Sequence, residues 1–306
     1  REHTKALLEG SAAATTFVNA AINGAVDGRV FNSARDGKIF CSISAGKSRY
    51  TSGSHVDCKN FSVTIGVGKT SPVVHGELTS AIFAEGVSGC YKSFNSFLTD
   101  DVDGKGDSRC LGGGVFARLD GNGSENGHFY GEGSAHGGKI KHDFSSDDMV
   151  DFMGTRTEYS SKSTYFGIHG GGGYIRKIGH GVLLDTYAKY VWARKNGKDI
   201  ILSTGETVDF KNVDSKRLLS GLKLSRPIGS STAAYIGGAC HYEFDGKVNG
   251  SIAGLDIDTP SLRGASAMIE LGISGNYNSF SFDLGTHGFL GKRRGIDAFF
   301  DIKRTF

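Results

Sequence analysis

From about residue 37 onward the chain repeats one unit, a run of about 10–15 residues with alternating apolar and polar side chains, followed by a break rich in Gly, Asn, Asp or Pro. Successive side chains of a strand point to opposite faces, so such a run makes a ribbon with one apolar and one polar side. Val182, Leu184, Thr186, Ala188, Tyr190 and Trp192 oppose a set that contains Asp185, Tyr187 and Lys189. Ala265, Ala267, Ile269, Leu271 and Ile273 oppose Gly264, Ser266, Met268, Glu270 and Gly272. Phe280, Phe282, Leu284 and Leu290 oppose Ser281, Asp283 and His287. Strands are expected to begin near 37, 60, 73, 109, 128, 164, 181, 213, 231, 263, 278 and 293. That makes twelve, an even number of the kind bacterial outer-membrane barrels use.

The breaks alternate in length. Those at 70–72, 121–127, 177–180, 227–230 and 276–277 are short, as periplasmic turns are. Those at 47–59, 88–108, 142–163, 196–212 and 245–262 are long and charged, as extracellular loops are; only the last, at 291–293, is short. A soluble β-sandwich explains the alternation but has no reason to show this asymmetry. The expected fold class is therefore all-β, a 12-stranded antiparallel transmembrane β-barrel located in the bacterial outer membrane.

Composition agrees. Apolar residues make up 38%, low for a chain of this length with a buried apolar core, and Gly supplies 47 of 306 residues, about twice the usual share. A net charge of +3 without a basic tract argues against nucleic acid. No run of 18 apolar residues is present, which excludes a transmembrane helix and leaves a transmembrane barrel open. The chain lacks a start methionine and a signal-peptide core, so it is expected to be a fragment of a longer one. The five cysteines include no CxxC, and the GxGxxG-like stretch 66–71 lacks its last glycine, so neither a zinc site, a nucleotide site nor another cofactor is expected.

The first residues differ. In TKALLEGSAAATTFVNAA (4–21), Leu7, Leu8, Ala14, Phe17, Val18 and Ala21 recur at helical spacing, and Gly24 and Asp27-Gly28 break the pattern. One helix of about five turns and a connector are expected over 1–36, with the barrel over 37–306.

The last strand, GIDAFFDIKRTF (295–306), sets Ala298, Phe300, Ile302, Arg304 and Phe306 against Asp297, Phe299, Asp301, Lys303 and Thr305. A terminal aromatic in register with an amphipathic strand resembles the signal by which the barrel-assembly machinery recognises its substrates, here Phe300, Ile302 and Phe306. The chain resembles the autotransporter β-domain family. The resemblance lies in GVLLDTYAKYVWAR (181–194), SKRLLSGLKL (215–224), YIGGACHYEFDG (235–246), GASAMIELGISGNY (264–277) and LGKRRGIDAFFDIKRTF (290–306), with a looser match in GHFYGEGSAHGGKIKHDF (127–144). It implies that the N-terminal helix sits inside the barrel lumen. It also implies that the barrel carries an attached N-terminal passenger to the cell surface. Implied partners are outer-membrane lipid, the chain's own passenger and the barrel-assembly machinery, with no nucleic acid; a monomeric barrel is expected.

The inward-facing candidates are Arg118, Glu132, His136, Asp185, Lys189, Arg217, Lys223, Glu243, Glu270 and Asp283. They would hydrate the lumen and hold the helix, or simply satisfy one another across neighbouring strands; their mixed signs fit a plugged pore better than a selective channel. Some family members cut their lumen helix at an Asn pair. Here Asn19 and Asn23 are separated, and Asn23-Gly24 reads more simply as a helix-ending turn than as a site of self-cleavage. Cys90 and Cys110 bracket the 88–108 break and are expected to form a disulfide at its base; Cys41 and Cys58 flank the first break less symmetrically and are not expected to pair, and Cys240, on the apolar face of its strand, reads as a small buried apolar residue. The alternative function is an outer-membrane barrel enzyme, a rim protease or phospholipase. His128, His136, His169, His241 and His287 are scattered along strands, however, and their spacing shows no nucleophile-base pair.

Overall fold

The computed structural model describes residues 4–35, 39–96, 101–124 and 126–304. Two helices come first, α1 (Lys5–Val26) and α2 (Arg29–Ala34). The strands are β1 (Ile39–Thr51), β2 (His55–Val73), β3 (Gly76–Ser96), β4 (Asp101–Gly121), β5 (Gly127–Val150), β6 (Arg156–Gly179), β7 (Val182–Lys195), β8 (Lys198–Ile201), β9 (Thr207–Phe210), β10 (Val213–Pro227), β11 (Thr232–Glu243), β12 (Gly250–Ile252), β13 (Leu255–Asp256), β14 (Gly264–Tyr277), β15 (Phe280–Gly291) and β16 (Arg293–Arg304). Among the described residues, twelve of these form one closed antiparallel barrel, all but β8, β9, β12 and β13. The ring closes where β1 pairs β16, from Ile39 opposite Arg304 to Tyr50 opposite Arg293.

The apolar set of each strand faces outward. Ile65, Leu111, Ile168, Leu222, Ile236, Ile269, Leu284 and Ile296 all remain exposed, which in a bilayer means lipid-facing. Most periplasmic turns lie within two residues of their expected places. The first is at 74–75, because Pro72 still pairs as strand opposite Glu77. The fifth, at 278–279, holds Asn278 at φ +52°, a left-handed conformation Asn tolerates.

Three of the breaks expected to be long are strand instead. The segments 47–59, 88–96 with 101–108, and 142–163 carry β1–β2, β3–β4 and β5–β6 onward well beyond their expected ends, and β5 and β6 reach 24 residues each. A membrane crossing needs only about 9–11 residues, so β2 to β6 raise a wall above the bilayer, whereas β15 and β16, at 12 residues, barely clear it. The other two breaks, 196–212 and 245–262, are not plain loops. Their strands form a small sheet in the order β13-β12-β9-β8, which packs over the helix. Val208 and Val248 are fully buried, Phe210 meets the Tyr159 ring, and a Cβ on Gly250 would come within 2.7 Å of Leu8.

The helix is longer than its sequence pattern. α1 runs through Gly24 and stops at Asp27-Gly28, where Gly28 has φ +79°; α2, not expected from the sequence, follows at once. Nearly all of α1 is buried, on every face, because it stands in the lumen. Its upper half packs on an apolar wall that includes Val56, Val87, Ile140, Phe144, Tyr159 and Val191, so the inner face is not polar throughout. Ala25, Val30, Phe31 and Ala34 form a second apolar cluster with Phe40, Ala81, Phe83 and Phe116 near the periplasmic end.

Inside the wall, the Tyr235 ring lies on bare backbone. A Cβ on Gly272 would stand 2.3 Å from that ring, and one on Gly285 would stand 2.4 Å from Phe299. Gly272→Val is therefore expected to destabilise the barrel by about 1–3 kcal/mol through overpacking. Heat-modifiable gel mobility checks this: the compact band should disappear at a lower temperature than for the wild type, and an unchanged transition would contradict the packing.

Candidate functional site

The lumen is the site, and the strand register decides what meets in it. Arg118 faces Glu132 across β4 and β5, and His169 faces Ser134 across β5 and β6. A continuous polar chain results. Tyr165 donates to Glu85 at 2.7 Å, and His136 Nδ1 lies 2.8 Å from the same carboxylate. Ser134 Oγ joins His136 and His169 at 2.8 and 2.7 Å. His169 Nε2 then reaches Glu132 at 3.2 Å. Glu132 pairs with Lys189 at 2.6 Å and Arg118 at 3.4 Å, and Lys189 donates to the Val26 carbonyl at 2.7 Å. α1 carries no basic residue in its last turn. The barrel wall supplies one, a cation on the carbonyl end of the helix dipole.

Arg118 is held on both sides by rings, its guanidinium 3.8 Å from the Phe31 centroid and 3.5 Å from that of Tyr130. This ties α2 to the wall through a desolvated cation–π contact. Tyr130 in turn donates to Asp185 at 3.0 Å.

A second group holds the middle of α1. Arg217 donates to Asn23 Oδ1 at 2.9 Å, and Asn19 donates to Ser215, which donates to Glu243. The third group stays within the wall: Lys223 with Glu270 at 3.0 Å, and Tyr235 with Asp283 at 2.7 Å. The ten candidate residues therefore all lie on the inner face, but they divide. Lys189 and Arg217 bond to α1 directly, Arg118 grips α2, and Glu132, His136, Asp185, Lys223, Glu243, Glu270 and Asp283 bond to wall residues.

Two important carboxylates escaped the sequence reading. Glu85 is inward on β3, in alternation with Phe83 and Val87, and that parity was the available signal. Glu9 is fully buried at the extracellular end of α1, where it accepts from Ser52 at 2.8 Å, Ser54 at 2.6 Å and Asn95 at 2.8 Å. Lone among apolar helix residues, it gave no pattern to find.

The scattered histidines do include a Ser–His juxtaposition, at Ser134, His136 and His169. Its members are at most 8% exposed and roofed by rings, Phe83 on His136 at 5.3 Å and Phe116 on His169 at 6.3 Å. Their polar atoms are bonded to one another and to Glu85 and Glu132 within the wall. Among the described residues no group of His, Cys, Asp and Glu has the arrangement to hold a metal ion.

The expected Cys90–Cys110 disulfide is not formed. All five cysteines are free, and Cys240 is exposed on the outer face of β11 rather than buried; Cys90 faces Asp107 on the exposed outer side, and Cys110 faces Val87 and is buried inside. They sit on opposite faces of adjacent strands, a geometry no S–S bond spans. Phe300 and Ile302 are partly exposed on the outer face of β16, and Phe306 lies outside the described residues. On the side of the lumen away from α1's main contacts, a cavity of about 580 Å³ near the periplasmic mouth is lined by residues such as Asp27, Asp185, Lys189, Lys223, Glu270 and Asp283.

A closed barrel with an apolar belt and a helix-filled, charge-paired lumen defines an outer-membrane transport protein. Residues 40–287 match the autotransporter beta-domain family, and the chain belongs to that family. The fold is similar to the translocator domain of autotransporter NalP from Neisseria meningitidis (TM-score 0.71, 16% identity, 97% of this chain and 98% of that one). It is also similar to the transport unit of the autotransporter AIDA-I from Escherichia coli (0.70, 16%, 88% and 90%) and to the beta domain of the Bordetella autotransporter BrkA (0.63, 12%, 89% and 100%). No curated protein matches the sequence. The chain is thus an outer-membrane translocator barrel rather than an enzyme, and transport of its own passenger follows from the family.

Lys189→Met removes one partner of a buried ion pair and the helix C-terminal contact, so a loss of about 3–5 kcal/mol is expected. The thermal transition of the compact band measures it, and trypsin cleavage after the buried Arg29, just beyond the end of α1, should accelerate in parallel. For the cysteines, a water-soluble maleimide should label Cys90 in the folded barrel and Cys110 only after unfolding. A disulfide-linked peptide containing both would overturn that assignment.

Proposed function

We propose that residues 1–36 are the lumen-threading unit of a translocator whose barrel spans 37–306, and that this arrangement is the closed state, with α1 as the plug. The observation that carries it is the burial of α1 on all faces while the wall holds its two ends, Glu9 above and the Val26 carbonyl below. The small sheet of β8, β9, β12 and β13 acts as a lid over the upper end. The barrel works as a monomer, with lipid against its outer belt. The barrel-assembly machinery reads the closing strand through Phe300, Ile302 and Phe306. The lumen residues that bond to α1 and α2, led by Arg118, Lys189 and Arg217, seat the helices; the others keep the wall paired. The helix remains uncut: Asn23 lies inside continuous helix with its side-chain oxygen engaged by Arg217.

Planar-bilayer recording tests the plug. The full chain is expected to conduct little, and deletion of residues 1–35 is expected to raise single-channel conductance several-fold, since about twelve strands enclose a lumen wider than a single helix needs at its mouth. Equal conductance of the two would sink the plug, and so would cleavage at 23–24 seen by intact-mass measurement.

A further inference from the structure

The outer face of the raised wall carries an unbalanced charge pattern. Many outward-facing charges along the extracellular rim are paired, Arg49 with Asp57 at 2.6 Å, Lys105 with Asp147 at 2.7 Å, Arg194 with Asp214 at 2.8 Å and Lys216 with Asp245 at 3.0 Å, while Lys47 faces Lys59 and Lys92 faces Lys105 as isolated like-charge pairs. Nearer the bilayer on β4, β5 and β6, the register sets three cations in one row. Arg109 stands directly opposite Lys141, and Lys141 directly opposite Lys162. All three are exposed, as is Lys139 one row below, which faces Leu111. Asp143 takes up part of Lys141 at 3.1 Å; Arg109, Lys139 and Lys162 form no ion pair among the described residues. Like charges directly across a strand pair are destabilising. Three in a row, spaced by about 5 Å per strand, call for an external counter-anion.

Their height says which one. Along β4 the outward apolar residues are Leu119, Val115 and Leu111, and Arg109 is the next outward position after them, about 7 Å further along the strand. The cations therefore sit where the outer-leaflet hydrocarbon ends and its headgroups begin. Below them the surface is built for acyl chains, from Leu111 and Val115 to Phe166 and Ile168 on the neighbouring β6. We propose that Arg109, Lys139, Lys141 and Lys162 form a docking site for the phosphate groups of an anionic, phosphorylated glycolipid of the outer leaflet, with its acyl chains laid on the apolar belt beneath. The phosphates relieve the row of like charges and fix the orientation and depth of the raised wall in the membrane. The proposal rests on the outer-membrane placement of the barrel.

The test uses the full chain folded in detergent, with bound lipid counted by native mass spectrometry during titration with a diphosphorylated acyl-disaccharide glycolipid, its dephosphorylated counterpart, or inorganic phosphate. The variant R109S/K141S/K162S is compared with K69S/R176S/K177S, which removes the same charge from exposed positions at the periplasmic rim. The first variant is expected to weaken diphosphorylated glycolipid binding roughly tenfold or more, and the second less than about twofold. Equal weakening in both, equal binding of the dephosphorylated lipid, or occupancy by inorganic phosphate at the same concentration would each overturn the site. Loss of the compact, heat-modifiable band in the wild type would instead strike the barrel itself, and both variants must show that band before their binding is compared.

Discussion

A strand edge inside a bilayer has no water to bond to, and the structure follows from that constraint. Each unpaired backbone N–H or C=O in hydrocarbon is expensive, so twelve strands are stable only once β1 has found β16. Closure forces the side-chain alternation to serve two solvents at once, lipid outside and a lumen inside. Outside, one residue in two must be apolar or small. Inside, the ring leaves a bore that is filled by a helix, by inward side chains or by water. This chain uses all three, and their distribution is uneven.

The helix shows how the bore selects its occupant. A surface helix needs one apolar stripe, but α1 is enclosed on every side, and its Gly10 to Thr16 run consists of small residues. At Gly10 an added Cβ would come within 3 Å of the hydroxyls of Tyr91 and Tyr159. The wall answers with side chains that bond to main chain: Tyr159 to the Leu7 carbonyl and Lys189 to that of Val26. Contacts of that kind depend little on helix sequence, so sequence is read chiefly at Glu9, Asn19 and Asn23, whose side chains bond to the wall.

The legible parts of the sequence were those in which one face is forced. Period-two alternation placed all the lipid-facing strands, since a one-residue slip would have turned Asp185 or Glu270 into lipid. Above the bilayer that pressure ends. In 88–108 and 142–163 both faces carry polar residues, so strand continued where the pattern read as loop. α2 was hidden behind Gly28, a true helix stop followed immediately by a new start. The small lid sheet was hidden because strands of two to four residues carry no period. The Cys90–Cys110 error has the same root. Near-symmetry about a hairpin was visible, but the parity that puts Cys90 opposite Asp107 and Cys110 opposite Val87 depends on the turn register. The ten inward residues came from parity alone, and parity cannot say which neighbour a charge will choose; that Ser134 would gather two histidines required the β5–β6 register.

The uneven lumen bears on how such a barrel can both pass and retain a chain. Beside an apolar cluster around α2, its periplasmic half holds a cavity edged with charges of both signs, where a moving segment could exchange partners at small cost, because each carboxylate there already has a cation or hydroxyl beside it. Its extracellular half is dry, lined by Val56, Val87, Ile140, Phe144 and Tyr159 and roofed by Val208 and Phe210. Apolar burial is non-directional, so this half can close around whatever helix stops there. Directional bonds toward both ends, from Ser52, Ser54 and Asn95 to Glu9 above and from Lys189 and Arg217 below, then decide where it stops. Sealing thus rests on non-directional apolar contact and positioning on directional bonds toward both ends of one helix, so removing the lower bonds alone leaves the apolar contacts of the upper half in place.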